Sequence, residues 1–271
     1  MSASNEAGSN VMASLCDDLC DEADDLDRIV AAVDEAQWNT PTPAPRWTVH
    51  DQIAHLWCFD HRALLALTDA DAFAEDARWL MTHGGAEASV ELGRAMSPAE
   101  LLEAWRTGRQ RLLTAARAAD PSAKVPWYGP SMSARSCLTA RLMETWAHGQ
   151  DVVDALGATR APSDRLRHVA HIGVRARPFS YAVRRRDTPA DEVRVTLQGP
   201  DGDTWEWGAS TTDTVSGTAL DFCLVVTQRR HLADTGLEVR GPSAEEWMGI
   251  AQAFAGPPGA GREPGQFARS T

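Results

Sequence analysis

The sequence holds one lysine, Lys124, and no long basic run; its other cations are arginines scattered along the chain. With 26 Lys plus Arg against 38 Asp plus Glu, the net charge is −12. A chain of that sign with no basic stripe offers nothing to a phosphate backbone, which excludes nucleic acid as a partner. No stretch reaches the roughly 18 uninterrupted apolar residues of a membrane helix, so no membrane span is expected. Residues 1–10 lack both the basic and the apolar segment of a secretory signal, and a cytoplasmic protein is expected. Cysteine is scarce, with Cys16, Cys20, Cys58, Cys137 and Cys223 odd in number and scattered. That usage excludes a disulfide framework and fits reduced thiols. Cys16 and Cys20 are one helical turn apart, but no second Cys/His pair stands near them at structural-zinc spacing.

What is present is enough apolar material for a sizeable core: 271 residues, 43% hydrophobic and 24% charged. Leu15, Leu19, Leu26, Ile29, Val30 and Val33 recur at helical spacing and predict a first helix over 11–36, its acids forming a solvated face. Thr40-Pro-Thr-Pro-Ala-Pro45 ends it. Thr48-Val-His-Asp51 has the capping-box pattern and opens a second helix to about Leu67. Residues 69–85 read as an irregular loop. Ser97-Pro-Ala-Glu100 starts a third helix to about Ala119. A loop over 124–130 carries Trp127 and Tyr128. Ser133 to Leu156 makes the fourth helix, stopped by Gly157. Residues 11–157 are therefore expected to form a four-helix bundle. A connecting helix is expected within 158–187, over 163–183, with His168 and His171 three apart. Alternating residues 192–198, turn chemistry at 200–203 and a return strand at 204–208 begin a smaller α/β domain over 188–256, with a last helix from Ser243 to about Phe254. Residues 257–271 are Gly/Pro-rich and expected to be disordered. The fold class is thus α+β, and composition leaves room for a homodimer.

The chemistry concentrates in Arg141-Leu-Met-Glu144-Thr-Trp-Ala-His148-Gly-Gln-Asp151. Glu144 and His148 are four apart, so on a helix they share one face. Such a pair can grip a divalent metal, or simply stabilise the helix. A third ligand must come from elsewhere, and His55 on the second helix is the best placed of several histidines. Two imidazoles and one carboxylate leave a coordination position open, as in catalytic zinc sites. Asp51, one turn before His55, and Asp151, three after His148, could orient the rings. Cys58 could add a fourth ligand or be a small buried hydrophobe. Trp57, Trp127, Tyr128 and Trp146 could wall a pocket or serve as core.

Trp47-Thr-Val-His-Asp-Gln-Ile-Ala-His55-Leu, with Glu144-Thr-Trp-Ala-His148-Gly-Gln-Asp151-Val, resembles the DinB-like superfamily, and within it the mycothiol-dependent maleylpyruvate isomerase group. The resemblance implies an up-down four-helix bundle with His55, Glu144 and His148 as ligands of a divalent metal, usually zinc. It implies a small thiol such as mycothiol as cofactor or cosubstrate. Val215-Ser-Gly-Thr-Ala-Leu-Asp-Phe-Cys-Leu-Val-Val-Thr-Gln-Arg229-Arg230-His231 resembles a segment of the sterol-carrier-like C-terminal domain of that group, which ends in Gly-Arg. Here Gln228-Arg229-Arg230 stands in its place, leaving open whether Arg229, Arg230 or neither is the catalytic arginine that grips a substrate carboxylate, a surface arginine being the alternative. The activity implied is thiol transfer to a small electrophile or cis–trans isomerisation. A metal-dependent hydrolase and a non-catalytic metal or ligand binder are the alternatives.

Overall fold

The structure, a computed structural model, describes residues 3–267, with side chains from residue 10 onward. It divides into two compact units, Met1–Arg160 and Ala161–Thr271.

In the first unit, α1 spans Ala3–Ala31 and buries Met12, Leu15, Leu19, Leu26 and Val30 along one stripe. The helix starts earlier than its apolar pattern: residues 3–10 are helical too, because extending an anchored helix is cheap once its nucleus exists. It also stops before residue 36. There Asp34 and Gln37 cap one another, Gln37 N donating to Asp34 Oδ1 (2.9 Å) and Asp34 N to Gln37 Oε1 (3.0 Å).

The second long helix, α2 (Val49–Thr68), begins with the expected capping box: Asp51 N donates to Thr48 Oγ1 and Thr48 N to Asp51 Oδ2. Residues 69–85 are not an irregular loop. They form α3 (Ala70–Thr82), capped by Asp69 Oδ1 on Ala72 N, and lead into α4 (Ala86–Arg94). Gly84 and Gly85, at φ 104° and 64°, supply the left-handed backbone that separates the two. Then follow α5 (Pro98–Ala118), a two-residue ladder of β1 (Lys124–Val125) with β2 (Met132–Ser133), and α6 (Ala134–Leu156).

Both α1 and α2 pack against α5 and α6, so α1 and α2 stand diagonally across a four-helix bundle. The core between them holds Leu26, Val30, Ile53, Leu56, Leu101, Trp105 and Val152. The acids of α1 are not merely solvated. Asp17, Asp24 and Asp27 pair with Arg117, Arg109 and Arg106 of α5 at 2.6–2.8 Å, and buried Glu22 takes Arg160 at 2.9 Å.

In the second unit the expected single helix over 163–183 is two: α7 (Leu166–Arg175) and α8 (Arg177–Ala182). Pro178, in the first turn of α8, has no N–H to continue α7. The sheet comprises β3 (Arg194–Gln198), β4 (Thr204–Trp207), β5 (Thr214–Thr218) and β6 (Glu238–Arg240), in the order β4-β3-β5-β6. The central pair β3–β5 is parallel and the outer pairs are antiparallel. Between β5 and β6 lies α9 (Ala219–Val226), whose Val226 lies where a Cβ on Gly173 of α7 would come within 2.7 Å, so glycine is required for that approach. The last helix, α10 (Pro242–Met248), ends before the expected Phe254. Residues 251–267 have no helix or strand but are tied down, Gly265 N donating to Asp234 Oδ1 at 2.8 Å. The expectation of disorder at 268–271 falls outside the described residues.

Candidate metal centre

Because α2 and α6 adjoin, His55 faces Glu144 and His148. His148 Nε2 is 3.1 Å and His55 Nε2 4.0 Å from Glu144 Oε2, and the two imidazole centroids are 4.5 Å apart. One ligand atom from each of the three lies within 4.8 Å of the others. All three are largely shielded, His55 and His148 being buried and Glu144 half-buried.

The far nitrogen of each ring is held by a group that fixes its tautomer. Thr42 Oγ1 donates to Trp47 O (2.8 Å) and therefore accepts from Gln52 Nε2 (2.9 Å). That orients the Gln52 amide so that Oε1 meets His148 Nδ1 at 2.6 Å. Since a carbonyl oxygen only accepts, Nδ1 carries a proton, which leaves Nε2, 3.1 Å from Glu144 Oε2, as the nitrogen able to offer a lone pair to a metal. On the other side, Ser89 Oγ donates to Ala86 O (2.5 Å) and accepts from His55 Nδ1 (3.1 Å), freeing His55 Nε2 in the same way. Ring orientation through a hydrogen bond on the second nitrogen is the usual partner arrangement of a metal-binding histidine.

Electrostatics act clearly on two of the three groups. Burial pushes His55 well below the ordinary histidine value, the neighbouring His148 adds to the effect, and the opposing pull of Glu144 is smaller, so the ring is neutral. Burial pushes Glu144 upward, but its hydrogen bond with His148 and its cationic surroundings, Arg141 among them, outweigh it and hold the carboxyl at about 2. Two imidazole Nε2 atoms and an ionised carboxylate form a donor set that a borderline divalent cation takes, displacing any proton shared between His148 Nε2 and Glu144.

Several expectations shift. Asp51 does not orient His55; its carboxylate accepts from Thr48 N and from Arg94 (2.9 and 3.2 Å). His148 Nδ1 goes to Gln52 rather than Asp151, which is fully buried on α6. Cys58 faces Arg62 instead of the triad. Of the aromatic candidates, Tyr128 connects to His55 through Phe59, its ring 5.8 Å from that of Phe59, which is 4.4 Å from His55. Trp146 is covered by Arg160. Trp57 borders a cavity of about 970 Å³ among α2, α3, α4 and α5 that none of His55, Glu144 and His148 lines. Trp47 was not among the candidates, yet its ring stacks on His148 (5.8 Å) and lies 5.1 Å from His55. Its Nε1 is latched by Glu87 of α4 at 3.2 Å. Gln52 and Ser89 were missed as well; Gln52, three residues before His55 on the α2 face, was the one available signal.

Arg229 and Arg230 belong to the second unit, in the turn after α9. Arg229 donates to Thr227 O, and Arg230 donates to Arg229 O and lies 4.1 Å from the Phe267 ring centroid. Gln228 has φ 60°, the left-handed conformation that a glycine takes freely and other residues rarely adopt. His168 and His171 lie on α7 in the same unit.

Comparison with known proteins agrees with this architecture. Residues 19–153 match the profile of the mycothiol maleylpyruvate isomerase N-terminal domain. Two uncharacterized proteins from two strains of Mycobacterium tuberculosis are each 50% identical over 253 residues, covering 90% of this chain and 96% of theirs. Among solved structures, a crystal structure of the mycothiol-dependent maleylpyruvate isomerase superposes with a TM-score of 0.57 at 18% identity, covering 90% of this chain and 98% of that one. A mutant of that enzyme gives 0.54, also at 18% identity, over 85% of this chain and 93% of its own. At that identity the likeness is one of fold.

Proposed function

The chain belongs to the family of the mycothiol maleylpyruvate isomerase N-terminal domain, and from that premise we propose a cytoplasmic zinc enzyme that uses a small thiol of the mycothiol kind. The reaction is thiol transfer to a small electrophile, or cis–trans isomerisation of an activated double bond. In the isomerisation, thiolate sulfur bonds to one alkene carbon, the former double bond rotates as a single bond, and sulfur leaves with its electron pair. The thiol is thereby regenerated.

One observation carries the reading: two imidazole nitrogens with fixed tautomers and one ionised carboxylate converge within 4.8 Å on adjacent helices. His55 Nε2, His148 Nε2 and a Glu144 oxygen would hold the ion. A divalent metal so held supplies a Lewis acid with an open position, which lowers the pKa of a bound thiol. Gln52 and Ser89 keep both rings in the binding tautomer. Trp47 and Phe59 cover the imidazoles and exclude water from that side. Arg229 and Arg230 enter the proposal through the sequence resemblance, as cations able to grip a carboxylate bidentately.

The test is elemental analysis of the purified chain beside H55A and H148A, followed by assay with maleylpyruvate with and without mycothiol. About one zinc per chain, lost in both variants, with turnover only when thiol is present, is the expected result. Turnover without thiol would replace this reading with a hydrolase. Stoichiometric metal with no turnover for any thiol and electrophile would leave a binding protein. Gel filtration at working concentration tests a homodimer.

A further inference from the structure

Two buried donors beside the triad are left over. Arg141 is 1% exposed; its Nε donates to Asp60 Oδ1 at 3.0 Å, while Trp105 Nε1 occupies Asp60 Oδ2 at 3.0 Å. Among the described residues, neither Arg141 Nη2 nor Tyr128 Oη has a hydrogen-bond partner, and both atoms are buried. A buried polar group without a partner costs free energy, more so a charged one, so each such atom asks for a missing acceptor.

The two sit in one neighbourhood. Arg141 lies one turn ahead of Glu144 on α6, on the helix pair that carries the triad. Tyr128 reaches the same region through Phe59, whose ring touches His55 on one side and Tyr128 on the other. Arg62 lies 5.4 Å from the centroid of that same ring, but its guanidinium is already committed to Asp76 and Cys58. The charges of Arg62 and Arg141 bear on the Tyr128 hydroxyl, opposed by those of Asp76 and Cys58.

We propose that Arg141 Nη2 and Tyr128 Oη are the donors of an oxyanion site beside the triad that holds a carboxylate of a small anionic ligand. A carboxylate only accepts, and each of its oxygens can take one of the two donors. A water molecule would satisfy the same donors but then has two hydrogens of its own to place. The surrounding Phe59, Phe73 and Trp127 rings offer no conventional acceptor for them, and the neighbouring Asp76 carboxylate is already engaged by Arg62. The site's place in catalysis rests on the function proposed above; its capacity to bind an anion does not, since neither donor is a metal ligand.

The experiment is calorimetric titration of maleate, and of acetate as a monocarboxylate, into the full chain stripped of metal by chelator. Wild type is compared with Y128F, which removes one hydroxyl and no hydrogen bond within the chain. Saturable binding to wild type, weakened about tenfold or more in Y128F, is the expected result. Without ligand, Y128F should melt at the wild-type temperature or slightly above it, because it loses a buried polar atom that had no partner. Absence of saturable binding to wild type at millimolar maleate, or equal affinity in Y128F, overturns the proposal. A Y128F protein that melts distinctly lower also overturns it, since the hydroxyl would then be bridging an internal water. Because the titration is made without metal, its failure is distinct from failure of the zinc reading.

Discussion

Replacing Gly93 by alanine should loosen the metal centre without touching it. A Cβ at position 93 of α4 would fall 2.3 Å from Ala54 Cβ and 3.2 Å from Ala54 Cα on α2, the residue before His55. The obstruction is a methyl group and backbone, with no flexible side-chain end to swing away. Ordinary contact begins near 3.4 Å, so α4 must retreat from α2 by about 1 Å. Ser89 is one turn earlier on α4, and its Oγ is 3.1 Å from His55 Nδ1. A retreat of that size stretches the bond to about 4 Å, past the limit of a hydrogen bond. Two effects follow. Overpacking costs about 1–3 kcal/mol, or a fall in Tm of several degrees for a unit of this size. Losing the group that orients a metal-binding histidine lowers metal affinity about 10–100-fold. Chelator competition gives the zinc affinity, and a thermal melt gives the stability. S89A separates the two effects, since it removes the hydroxyl and leaves the helices in place. If G93A keeps both its wild-type Tm and its zinc affinity, the close approach of α4 is wrong. If S89A binds zinc as wild type does, Ser89 does not set the His55 tautomer.

Other expectations follow from the same geometry. Q52A should weaken zinc binding about tenfold or more by releasing His148 Nδ1, measured in the same competition, while changing the helix content little. R141A strands the Asp60 carboxylate, which is 3% exposed, and should cost about 3–5 kcal/mol in a urea melt; a cost under about 1 kcal/mol would mean the pair is not buried in solution. T48A removes the capping hydroxyl of α2 and should cost about 1 kcal/mol. Burial pushes the Cys137 thiol from its ordinary 9.0 to about 11. Its folded-state pKa is raised, so its contribution to stability is complete below pH 9.0 and is lost as pH rises towards about 11. At pH 8 a thiol reagent should therefore modify Cys137 far more slowly in the native chain than in denaturant, read by mass spectrometry of the labelled peptide.

Local signals in the sequence were enough for much of this. Thr48 with Asp51 and Ser97 with Glu100 close as capping boxes, and Gly157 ends α6 at φ 59°. These are contacts among residues within four positions, so the chain specifies them before any tertiary contact exists. The four-residue spacing of Glu144 and His148 is of the same kind. Where local signals were weak, the reading failed. α3 buries only Phe73 and Leu80, too sparse a stripe to reveal a helix, and its stability comes from packing. α7 and α8 share one periodic pattern, and Pro178 decides the break.

The sequence by itself determined the long helices, their caps and the identity of the three side chains, His55, Glu144 and His148, that converge on one site. Tertiary structure alone decided that α2 adjoins α6, which brings His55 to Glu144 across 88 intervening positions in the chain. It also decided that Ser89 and Gln52, rather than Asp51 and Asp151, hold the far ring nitrogens, and that Arg141 and Tyr128 share a region with donors to spare. The physical reason is range. A cap or a helical pair is fixed by bonds within one turn, whereas the proton on a buried imidazole is fixed by whichever acceptor long-range packing sets beside it.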